Sequence, residues 1–154
     1  MASPDDESLR RPGLATALAT VPAHTLTTSY TSWTDVRSAL DAEGTSSRAI
    51  TSEQLALFEK ARADDLTAVS VLVGSAEQIA APYGCNVLDL QWETLAQSRQ
   101  GAAIVVRLDE DVDIDALTGR LDELGYVRPA TDPLDGAVWA GGADLVAGIE
   151  VRLT

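Results

Sequence analysis

Asp111, Asp113 and Asp115 stand at alternate positions within RLDEDVDIDALTGRLDELGY, residues 107–126. Carboxylates in that spacing open the calcium loop of an EF-hand, where oxygen ligands wrap a hard cation. The rest of the loop pattern does not follow. Ala116 stands where glycine must allow the sharp turn, and Asp122 where a longer glutamate must reach back to bind through both oxygens. The same residues read better as a helix. Ile114, Leu117, Leu121 and Leu124 fall on one apolar face. Asp113 is placed as the N-cap, Asp115 adds acidity to the first turn, and Gly125 is placed as the C-terminal cap. What remains for a metal is Asp109, Glu110 and Asp111, ahead of the helix, as a candidate weak calcium site of the kind found in extracellular modules.

A second group of candidates lies on NVLDLQWETLA. Leu88, Leu90, Trp92 and Thr94 alternate with Asp89, Gln91 and Glu93, which predicts a half-buried strand with a solvated polar face. On such a strand Asp89 and Glu93 lie roughly 13 Å apart at ~3.3 Å per residue. A glycosidase pair needs ~5–9.5 Å. Adjacent members of the face could still line a groove. Asp89, Gln91, Trp92, Glu93 and Arg107 are therefore the candidate binding residues. A deep pocket converging on Asp89, Glu93 or Arg107 would favour an enzyme that uses a sheet-face carboxylate as acid or base. Trp33, Trp92 and Trp139 could form a binding platform, although core filling is the commoner use of so large a side chain.

Other chemistries are poorly provided for. His24 is the only histidine and Cys85 the only cysteine. One chain therefore cannot form a disulfide, a multi-thiolate zinc site or a two-imidazole metal site. Serine, histidine and aspartate occur without a GxSxG elbow. Cys85 has no basic neighbour to lower its pKa and reads as a buried structural thiol. AGGADLVAG has neither GxGxxG nor Walker spacing. No catalytic residue is assigned and no cofactor is expected.

Length and charge bound the rest. The chain has 154 residues, of which 45% are apolar, enough for one domain with its own core. Its 24 acidic and 11 basic residues give a net charge of −13. Such a surface repels nucleic-acid phosphates and anionic lipid, and favours solubility, cations and basic partners. No stretch approaches the ~20 apolar residues of a membrane span, so no membrane insertion is expected. Lys60 is the only lysine among many arginines, a usage that points to a GC-rich genome.

The elements that must position these residues follow from periodicity. Residues 1–11 read as a flexible tail, and 12–154 as a single domain. Arg10-Arg11 resembles a twin-arginine export signal only superficially, because the run after it is short and carries Thr16 and Thr20. RPGLATALATVP predicts a short helix with Leu14, Leu18 and Val21 on its apolar face. Residues 25–32 read as a strand, and TDVRSALDAEG as a helix capped by Thr34 and ended by Gly44. TSSRA is a linker. Thr51 and Gln54 form a capping box before a helix carrying Leu55, Phe58 and Arg62 on one face, and Ser75 and Gln78 form a second. Residues 66–74 fit either a strand or a buried helix. The strand NVLDLQWETLA, residues 86–96, and AAIVVRL are joined by QSRQG as a hairpin. After the acidic helix come a loop, RPATDPLDG, and two strands, AVWAGG and the last six residues. The order predicts an α+β fold: an antiparallel sheet with helices on one face, a ferredoxin-like β-α-β-β-α-β core carrying a helical insert.

PYGCNVLDLQWE, RLDELGYVRP and VWAGGADLVAGI, with VPAHTLTTSYTSWTDVR ahead of them, resemble a family of uncharacterised actinobacterial exported proteins and lipoproteins. The shared pattern is a Gly-aromatic pair, a strand ending in Asp-x-x-Trp-Glu, a strand–helix ending in Gly-Tyr, and a last Trp-containing strand. It covers most of residues 14–150, and Cys85 stands where the pattern has an aromatic. The resemblance implies a secreted or surface-anchored precursor and a natural chain continuing beyond Thr154, and it carries no catalytic residues. A free thiol in that compartment is tolerated when buried. The reading is an exported, non-enzymatic binding or structural module at the cell surface, with a small molecule or a protein as partner. The alternatives are an enzyme of unfamiliar type, a weak extracellular calcium-binding module, and a cytoplasmic location.

Overall fold

The computed structural model describes residues 12–42, 50–128, 139 and 141. The expected tail at 1–11, Gly44, the linker at 45–49, and nearly all of the loop and the two strands expected after the acidic helix lie outside the described residues. Helix α1 spans Pro12–Thr20, and its first residue lacks only an N–H that a helix start leaves unpaired. Strand β1, Thr27–Ser32, runs directly into helix α2, Trp33–Ala39. Ser32 rather than Thr34 is the N-cap, its Oγ accepting from the Asp35 N–H at 3.2 Å. Helix α3, Ser52–Ala63, begins with the expected capping box: Thr51 Oγ1 accepts from Gln54 N–H, and Gln54 Oε1 from Thr51 N–H.

Residues 66–74 form neither strand nor α-helix but turns that lead into a 3₁₀ turn at Val73–Ser75. Helix α4, Ala76–Tyr83, follows without the second capping box, since the Ser75 side chain makes no cap bond. Gly84 ends it at φ +69°, the left-handed conformation that glycine adopts without a Cβ penalty. A 3₁₀ turn at Val87–Asp89 precedes strands β2, Leu90–Ser98, and β3, Gly101–Leu108. Helix α5, Ile114–Glu123, starts at its expected N-cap, with Asp113 Oδ1 accepting from Ala116 N–H at 3.0 Å. The helix reading of the alternating aspartates therefore holds.

The three strands form one antiparallel sheet in the order β1-β2-β3. The mixed α+β class is as expected, with five α-helices among the described residues. The pairing differs from the ferredoxin-like one, which inserts the second strand of the hairpin between β1 and the first. Here the first hairpin strand, β2, lies directly beside β1, and β3 is the outer strand among the described residues. Burial explains the choice. Both faces of β2 are covered, which suits a central strand, whereas β3 leaves Ile104 50% and Val106 39% exposed.

Helices cover both faces of the sheet rather than one. Alternation puts Tyr30, Trp92 and Thr94 on one face and Thr31 and Glu93 on the other. α1 packs on the first face. A Cβ on Gly13 would meet the Tyr30 hydroxyl at 2.6 Å and Trp92 at 3.4 Å, so only glycine lets the helix approach this closely. Ala17, one turn on, is fully buried, while Leu14 and Leu18 point outward, so the small residues and not the leucines face the sheet. The main core, beside α2, α3 and α4, contains Trp33, Val36, Phe58, Ala61, Ala76, Val87, Leu88 and Leu90. On α3 the buried residues are Gln54, Phe58 and Ala61, a face turned by one position from the one expected. Among the described residues no helix is long and apolar enough to cross a membrane.

Arg37 ties these layers together. Its Nη1 donates to the carbonyls of Leu88 at 2.7 Å and Leu90 at 2.6 Å, and its Nη2 pairs with Asp109 at 2.9 Å. The arginine side chain is only 11% exposed, so the two carbonyls have little water to replace it. Arg37→Ala is expected to lower the unfolding free energy by about 2–4 kcal/mol in urea titration. Arg37→Lys should lose less, keeping the charge but not the planar fork.

Candidate functional site

A cleft of about 410 Å³ opens on the Tyr30–Trp92 face, beside α1. Its wall combines β-sheet residues with the first turn of α2, because β1 passes into that helix without a loop. Tyr30 and Ser32 line it at i and i+2 of β1, and Thr34 and Asp35 continue the lining into α2. Gln91, Trp92 and Arg107 complete it from β2 and β3. Arg107 lies opposite Trp92 in the sheet register, so both side chains fall on this face. The Tyr30 and Trp92 rings stand 6.2 Å apart, tilted by 39°. Arg107 Nε donates to Gln91 Oε1 at 3.1 Å, an arrangement made possible by the irregularity in β2 between Leu90 and Trp92. Thr34 Oγ1 donates to the Gln91 carbonyl at 3.3 Å and closes the side of the cleft.

Three of the five expected binding residues, Gln91, Trp92 and Arg107, are thus brought together. Asp89 and Glu93 are not. Asp89 is 7% and Glu93 2% exposed, which corrects their placement on a solvated face. Glu93 Oε2 accepts from Trp33 Nε1 at 3.0 Å and Oε1 from Val71 N–H at 2.7 Å. Asp89 Oδ2 accepts from Asn86 N–H at 2.7 Å and closes a capping box around the 3₁₀ turn. Both carboxylates bond core and turn backbone, and neither lines the cleft. Trp33 is fully buried, so it fills the core rather than offering a platform.

The acidic stretch before α5 is likewise divided. Asp109 is paired with Arg37, while Glu110 and Asp111 are exposed and share no ligand set with it. No group of three metal-ligating side chains converges among the described residues. His24 lies with Arg99 in a separate open groove of about 440 Å³ beside the hairpin turn. Cys85 is half-buried. Its burial, with the Asp89 carboxylate adding to it, pushes the thiol up from 9.0 to about 11.

Tyr30, Ser32, Thr34 and Asp35 were missed as site residues. SYTSWTD carried a usable signal for the first two, since i and i+2 on a strand share a face. No family model, curated protein or solved structure matches the chain.

Two measurements check this description. Glu93→Gln keeps the shape but offers one acceptor oxygen to two donors. It should cost about 1–3 kcal/mol of unfolding free energy, with the loss visible as a lower urea midpoint. Cys85 in the native protein should alkylate with iodoacetamide at pH 8 more than about tenfold slower than in the unfolded chain, because the thiolate is the reacting form. The raised thiol pKa contributes stability that is fully present below pH 9.0 and lost as the pH rises through about 11. Cys85→Ala should therefore flatten the alkaline loss of stability.

Proposed function

We propose that this protein is a non-enzymatic binding module whose ligand site is the cleft of Tyr30, Gln91, Trp92 and Arg107. The observation that carries this reading is the state of the charged groups. Arg107 is held at the cleft by Gln91 through its Nε alone, and its two terminal amino groups have no partner among the described residues. Asp89 and Glu93, the carboxylates considered for acid–base work, are spent on Asn86, Trp33 and Val71. The volume of about 410 Å³ suits a small molecule, since ligand pockets run from ~300 to ~1,000 Å³. An apolar wall beside a few polar groups is the usual composition of such a site. We place the module outside the cytoplasm, at the cell surface. The likeness to exported actinobacterial proteins supports this. So does Cys85, whose raised pKa keeps it protonated and slow in disulfide exchange.

A fragment screen by heteronuclear NMR tests the reading. Neutral, cationic and anionic fragments are added to ¹⁵N-labelled protein. Saturable shifts are expected at the Trp92 indole and the Arg107 side chain, with Kd of about 1 mM or tighter, the −4.1 kcal/mol that fragments commonly reach. Shifts confined to other surfaces, or none at all, would overturn it.

A further inference from the structure

We infer that Tyr83 and Tyr126 form an oxidative cross-linking site, where a haem peroxidase using hydrogen peroxide joins the two rings as dityrosine and ties α4 to α5. Their hydroxyls share a hydrogen bond at 2.6 Å, and the ring centroids stand 6.1 Å apart with planes inclined by 64°. The residues are 43 positions apart in sequence, so the tertiary fold makes the meeting. Backbone caps hold both in place. Tyr83 is the last residue of α4, before Gly84 at φ +69°. Tyr126 follows the left-handed Gly125, and its N–H donates to the Leu121 carbonyl at 3.0 Å, closing the end of α5 in a Schellman motif. Both tyrosines are half-buried, so each keeps some contact with solvent.

The chemistry uses that arrangement. Each phenol gives up one electron and one proton, and the peroxide takes up both pairs to leave two waters. A phenolic hydroxyl both donates and accepts, so a ring that loses its electron has a neighbour to receive its proton. The two phenoxyl radicals then form a carbon–carbon bond between the ring positions next to their oxygens. The hydrogen on each of those carbons moves to the ring's own oxygen and restores the phenol. The product carries its hydroxyls side by side across the new bond, as they already lie here. Holding the rings together makes the coupling unimolecular. The net charge of −13 keeps separate chains apart and disfavours the interchain product. The bond falls where the fold is least anchored, since α5 buries none of its residues. With one cysteine, the chain has no intrachain disulfide to do the same.

The test treats the whole protein with a haem peroxidase and hydrogen peroxide and follows dityrosine fluorescence. The product is expected to stay monomeric on denaturing gels and to be two hydrogens lighter by mass. Digestion should release a peptide pair linked through Tyr83 and Tyr126. The initial rate per chain should not change when the protein is diluted about tenfold. The melting temperature should rise by roughly 5–15 °C, because the bond closes a long loop. Tyr83→Phe and Tyr126→Phe keep the rings and should each lower the intrachain product about tenfold or more. Tyr30→Phe should leave it unchanged. Dityrosine found only between chains, an intrachain link through Tyr30, or a Tyr83–Tyr126 link that leaves the melting temperature unchanged overturns the inference. So does the absence of dityrosine from the native protein under conditions that couple free tyrosine.

Discussion

A carboxyl group that leaves water must be met by hydrogen-bond donors, or the fold loses several kcal/mol. Glu93 sits in the middle of the central strand at 2% exposure, and its two oxygens are met from two directions. One donor is the indole of Trp33, the first residue of α2; the other is the backbone of Val71, in the turns that follow α3. Neither donor is local in sequence. The side chain therefore fixes both how β1 turns into α2 and where the turns after α3 come to rest on the sheet.

That constraint also decides which face can hold a site. The Glu93 face carries Trp33, which in turn packs edge-on against Phe58 at 6.3 Å. The opposite face is covered by α1 through Gly13 and Ala17, and beside that narrow contact the Tyr30–Trp92 cleft opens. Core-facing and cleft-facing polar groups are thus sorted onto different sides of one strand. Arg37 performs the matching task at the strand's start, closing the Leu88 and Leu90 carbonyls and neutralising Asp109.

Much of the local structure was legible because it depends on short-range chemistry. The Thr51–Gln54 capping box, the hairpin, the Asp113 N-cap and Gly125, at φ +85° beyond α5, each follow from residues a few positions apart. What could not be read depends on tertiary contacts. Alternation on β2 implies an outward polar face, and nothing in NVLDLQWETLA says that Trp33, sixty positions earlier, donates to Glu93. The ferredoxin-like arrangement was read from the succession of elements, which does not say which strand of the hairpin lies beside β1; among the described residues it is β2, with its glutamate. The leucines of α1 mislead for a related reason: a helix held close to a sheet uses its smallest residues, here Gly13 and Ala17. Of the cleft lining, Gln91, Trp92 and Arg107 were visible. Tyr30 and Ser32 required knowing that β1 lies beside β2.

The central claim is that the Glu93 carboxyl group holds Trp33 in the core. Hydrogen exchange of the Trp33 indole N–H, followed by NMR alongside the Val71 amide, tests it most directly. Both protons should exchange slowly and at matched opening free energies, since one side chain accepts from both. Exchange of the Trp33 indole at the rate of a solvent-exposed tryptophan, with the fold intact, would contradict it.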